Sequence, residues 1–85
     1  MRIRIIGLPS ARVNQTIINA RAATAVFKEK PRIIWINDIH QIAEMGGVLV
    51  PTVMINEKIK TEGRIPSVFE FKTWIEEEME EELAA

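Results

Sequence analysis

The chain opens on an alternating stretch, Arg2-Ile3-Arg4-Ile5-Ile6, that sets Ile3 and Ile5 on one face of a strand. After Ser10 the rhythm changes. Val13, Ile17, Ala20, Thr24 and Phe27 recur at spacings of four, three, four and three, one stripe of a helix facing a core. Ser10 suits the N-cap, and Pro9 before it discourages an earlier start. The small side chains from Ala20 to Ala25 let this helix approach a sheet closely, and Glu29-Lys30-Pro31 predicts its end. The run Ile33-Ile34-Trp35-Ile36 predicts a strand covered on both faces, as in a parallel pair. Asp38, with Gln41 three residues on, predicts a short helix closed by Gly46-Gly47.

Thr52–Ile55 and Lys58–Glu62 predict a hairpin around Asn56-Glu57. Asn56 tolerates positive φ, but Glu57 suits a tight two-residue turn poorly, so a slightly strained or longer turn is expected. Ser67-Val68-Phe69-Glu70, after Pro66, has the form of a capping box and opens the last helix. Val68, Phe71, Ile75 and Met79 form its buried stripe, bordered by Trp74. The order β-α-β-α-β-β-α predicts an α/β fold. Its first strand pair is parallel with a right-handed crossover, a hairpin is added antiparallel, and three helices flank a four-stranded mixed sheet.

The 85 residues suit one domain, 1–85, because a second could not bury a core of its own. Hydrophobic residues at 47% and charged residues at 27% are ordinary for a globular protein, and no apolar run approaches a membrane span. The expectation is a cytoplasmic protein without a membrane partner. Net charge is −1 but lopsided: residues 1–32 hold seven basic side chains against Glu29 alone, and residues 33–85 hold eleven acidic against four basic. Solvated, spatially mixed charges are the simpler expectation; the sharper one is a dipolar molecule meeting an acidic partner or its own copy. Six glutamates after Ile75 oppose the helix dipole and one another, which predicts a frayed, solubilising end over 80–85.

Two stretches carry the chemistry. Gly7-Leu8-Pro9-Ser10-Ala11-Arg12-Val13 links the first strand to the first helix, and Val50-Pro51-Thr52 heads the third strand. With Gly47 to Asn56 and Thr61-Glu62-Gly63-Arg64-Ile65-Pro66-Ser67, they make the chain resemble the thioredoxin-like superfamily nearly end to end. The likeness is to the small archaeal-type thioredoxin or glutaredoxin-like proteins also called redox-active disulfide protein 2. The resemblance implies a thioredoxin-like fold, with Pro51 at the position of the family's cis-proline and Val50 offering its backbone to an extended peptide. It also implies a Cys-x-x-Cys motif, and there this chain departs: Ser10 and Val13 stand at the two cysteine positions, and no cysteine occurs anywhere. A hydroxyl yields no appreciable anion near neutral pH and neither residue can form a disulfide, so the family's dithiol exchange is impossible for these residues. Ser-Ala-Arg-Val, preceded by Leu8-Pro9, reads as natural divergence rather than as a laboratory inactivation.

A serine nucleophile would need a base, and the one histidine, His40, reads as an exposed residue of the second helix. Ser10, Ala11 and Arg12 form a helix N-terminus able to hold an anion, against the plainer reading of a capped helix with a solvated arginine. Leu8, Pro9 and Val13 with Val50 and Pro51 form either an apolar groove for an extended segment or loops packed on one another. Trp35 and Trp74 read as packing residues, and no aromatic–basic interleaving points to nucleic acid. No metal-ligand spacing and no cofactor loop occurs. The expectation is therefore a non-enzymatic binding or assembly module. Its contact face is Ser10, Ala11, Arg12, Val13, Val50 and Pro51, and its partner is a protein, a peptide or a second copy. The alternative is an indirect role in thiol redox homeostasis, through binding of glutathione or a disulfide-bearing client without exchange.

Overall fold

The computed structural model describes residues 1–85. Seven elements follow one another: β1 (Arg2–Ile6), α1 (Ala11–Thr24), β2 (Arg32–Ile36), α2 (Ile39–Glu44), β3 (Thr52–Ile55), β4 (Lys58–Glu62) and α3 (Val68–Ala84). The strands form one sheet in the order β2-β1-β3-β4. β1 pairs parallel with β2, Ile3 beside Ile33, and antiparallel with β3, Ile5 beside Val53. The mixed four-stranded sheet with three helices is the architecture expected from the pattern.

Alternation decides the core. Ile3 and Ile5 of β1 and Val53 and Ile55 of β3 point to one face, where they meet Val13, Ile17, Ala20 and Ala23 of α1 and Phe71 and Ile75 of α3. Phe71 meets Trp74 edge-on, with centroids 5.7 Å apart. On the opposite face Arg2, Arg4, Ile34 and Ile36 border an open depression with Gln41 and Glu44 of α2 and Met45 just past it; α2 buries no residue of its own.

Four expectations need correction. α1 ends at Thr24, before Glu29-Lys30-Pro31: Thr24 Oγ1 donates to the Arg21 carbonyl, and the Phe27 N–H turns back to the Thr24 carbonyl. Phe27 therefore leaves the helix and still packs on the core. β2 is an edge strand and is not covered on both faces. Its residues are exposed or half-buried, because β1 gives its second edge to β3. The hairpin turn is not longer than two residues. Asn56 alone takes positive φ, at 55°, and a bulge in β4 at Lys60 absorbs the mismatch. α3 keeps helical geometry through Ala84, and Glu78 is buried rather than solvated.

Candidate functional site

The two predicted stretches meet where β1 hands over to α1. Ser10 adopts the extended geometry of an N-cap, and its Oγ accepts from the Val13 N–H at 3.1 Å. That bond satisfies one orphan donor of the helix start and contributes about 1 kcal/mol. No titratable side chain hydrogen-bonds to the Ser10 hydroxyl, so nothing here would draw off its proton.

Val13 is 1% exposed, so it belongs to the core and not to a contact surface. This corrects the apolar rim expected of it. A Cβ added to Gly7 would come within 2.7 Å of Val13 Cγ2 and 3.5 Å of Val50 Cβ. The missing side chain of Gly7 thus lets Val13 and Val50 close on the end of β1. Gly7 is also tied from both sides: its N–H donates to the Ile36 carbonyl at 3.0 Å, and its carbonyl accepts from Trp35 Nε1 at 2.8 Å. Trp35, expected in the core, instead lies part-exposed at the edge strand with this bond as its anchor.

The Val50–Pro51 peptide bond is cis, and Pro51 is buried. The Pro51 carbonyl accepts from the Gly63 N–H at 2.9 Å, and the Gly63 carbonyl accepts from the Arg12 guanidinium. These two bonds tie the start of α1 to the loop after β4 and spend one donor of Arg12 on the fold. A side chain at Gly63, where φ is 76°, would meet Leu49. Thr52 Oγ1 donates to the Leu49 carbonyl and fixes the approach to the proline. Val50 is different: neither its N–H nor its carbonyl takes part in any hydrogen bond. Val50 itself is 45% exposed, and Leu8 and Leu49, on the loops that lead to Ser10 and Val50, are 44% and 62% exposed.

Of the six predicted residues, Ser10, Ala11, Arg12 and Val50 are exposed, while Pro51 and Val13 are buried behind them. Leu49 is the exposed apolar neighbour not anticipated from sequence. Its signal was an apolar side chain in a loop, outside any strand or helix period.

A family model of the thioredoxin domain matches residues 1–76. The chain belongs to the thioredoxin-domain family. A thioredoxin of Methanocaldococcus jannaschii is 37% identical over 70 residues, covering 82% of this chain and 80% of that protein. No solved structure matches. Among thioredoxin-like chains this one lacks the dithiol: with no cysteine, Ser10 and Val13 fill the motif positions as a helix cap and a core residue. No helix is long and apolar enough to cross a membrane.

Proposed function

We propose that this thioredoxin-family domain is a non-catalytic binding module, and that it holds an extended segment of a partner protein at Val50. The carrying observation is the unpaired main chain of Val50, set among exposed Leu8 and Leu49. One free N–H and one free carbonyl on a half-exposed residue offer the two bonds by which an added strand is recognised, and the apolar side chains beside it give the segment something to cover. With Ser10 satisfied as a cap, binding there proceeds without bond exchange.

The anion reading of the same face is weaker. The Ser10 oxygen is engaged by Val13, and part of the Arg12 guanidinium by Gly63, so fewer donors remain for a carboxylate. Calorimetric titration with glutathione separates the two readings: saturable heat that Arg12→Ala abolishes would favour the glutathione alternative.

The test of the main proposal is affinity capture from a native lysate, comparing the parent with a Leu8→Asp, Val50→Asp variant of unchanged circular dichroism. Both substitutions fall on exposed side chains, so the fold should survive. Proteins retained by the parent and lost by the variant are the expected result. Identical captures would exclude the groove.

A further inference from the structure

The two edges of the sheet are guarded very differently. β4 carries Lys58, Lys60 and Glu62 among its five residues and is interrupted by the bulge at Lys60. Charge and bulges are the devices that keep an edge from pairing with another chain. β2, at the other edge, reads Arg32-Ile33-Ile34-Trp35-Ile36, with charge only at its first residue and an unbroken register against β1.

Two bonds fix which main-chain groups of β2 are spent. The Arg32 N–H donates to the Met1 carbonyl, and the Ile36 carbonyl accepts from the Gly7 N–H, each at 3.0 Å. Because these groups alternate along a strand, those of Ile33, Trp35 and Asn37 point away from β1. None of the three makes a main-chain bond elsewhere, and the Trp35 ring beside them is 36% exposed. This row of donors and acceptors has no partner within the chain.

The ends of the row carry opposite charges. Arg32 and Asp38 are both exposed, and neither forms an ion pair; Asp38 Oδ1 accepts only from the His40 N–H. When a strand pairs antiparallel with its own copy, outward-pointing residues must face outward-pointing residues. A two-fold axis at Trp35 meets this condition, with Trp35 opposite Trp35 and Ile33 opposite Asn37. The same axis brings Arg32 opposite Asp38 twice. Moving the axis to Ile34 sets Arg32 opposite Ile36 and Asp38 opposite Lys30, which lies beyond Pro31 and outside β2, so the Arg32–Asp38 pairs are lost.

We infer that β2 is a self-association edge. Two copies join antiparallel about Trp35, close two Arg32–Asp38 pairs and merge their sheets into one of eight strands. β1 separates β2 from β3, so this interface is distinct from the Val50 groove and does not depend on it.

The absence of cysteine makes the test clean. Residues opposite one another in a hydrogen-bonded antiparallel pair have Cα atoms about 5.5 Å apart, within disulfide reach. Folded Trp35→Cys protein should therefore cross-link to itself on mild oxidation far faster than Ile59→Cys, an exposed position on β4. In sedimentation the unaltered chain should show a monomer–dimer equilibrium. R32D and D38R should each weaken it about tenfold, and the double swap should restore it to within about threefold. The swap is the discriminating arm, since a lost Asp38 cap on α2 cannot be restored at position 32. A monomer up to about 1 mM, equal cross-linking at positions 35 and 59, or a swap no tighter than the single variants would each overturn the inference.

Discussion

Ser10 and Val13 stand at the two ends of a Cys-x-x-Cys spacing and do separate work, one capping a helix and the other filling the core. The two motif positions thus carry a helix cap and a core side chain where the family's motif carries sulfur. Ser10→Cys with Val13→Cys should form an intrachain disulfide and gain dithiol-dependent reduction of insulin, because the helix start that lowers a thiol pKa is intact. The electrons come from added dithiothreitol. A folded double variant that forms no disulfide would show that the geometry has drifted too. The cap was legible in the sequence because it depends on a contact three residues away. Val13's burial was legible too, from its place at the head of the α1 stripe; the close approach of Val13 and Val50 to Gly7, which removes Val13 from the contact face, was not.

Among the elements, α3 follows its sequence reading at its start and along its apolar stripe and departs from it in the acidic run. Its capping box closes as its residues require, Ser67 Oγ accepting from Glu70 N–H and Glu70 Oε1 from Ser67 N–H, each at 3.0 Å. Glu70 also holds Arg64 through two bonds, and the Arg64 guanidinium with the Ser67 N–H brings its carboxyl down to about 2. The folded value lies below the ordinary 4.5, so the stabilisation is whole above pH 4.5 and is lost as pH falls through about 2. Arg64 is half-exposed, which limits the effect to under about 1 kcal/mol. Chemical denaturation from pH 5 to pH 2 should destabilise the parent by that margin more than Glu70→Gln, which keeps the capping acceptor.

Further along α3, Glu78 is 3% exposed. Burial pushes its carboxyl up, but hydrogen bonds from Lys60, Lys58 and Asn56 outweigh this and hold it below the usual range. Lys60 reaches it at 3.1 Å from the bulge in β4. Glu78→Ala strands the largely buried Lys60 ammonium and should cost about 2 kcal/mol in urea unfolding, against under about 0.5 for Glu76→Ala. In sequence Glu78 is one of six glutamates, and what marks it is spacing alone: three residues after Ile75 and seven after Phe71, it continues the buried stripe. The apolar run of β2 misled in the opposite sense. Its pattern suits a central strand, and only the pairing of β1 with β3 leaves it at the edge.

Across the whole molecule folding relieves little of the charge imbalance between the two halves of the chain: of the seven basic residues in 1–32, Arg2 and Arg4 pair with an acid. Arg2 and Arg4 both reach Glu57, at 2.6 and 2.8 Å, and Arg4 before Arg2 lowers the Glu57 carboxyl. Lys58 and Lys60 meet Glu78. Besides the β2 edge, the main chain of Val50 stays open among exposed leucines, on a thioredoxin-family scaffold that has no thiol. A photoreactive benzophenone residue placed at Leu49 reads this directly, with one at Leu83, exposed at the far end of α3, as control. Discrete adducts at position 49 that are missing at 83, and that vanish when Val50→Asp is added, are the predicted outcome. Matching adducts at both positions, or none at 49, would contradict a binding role for the groove.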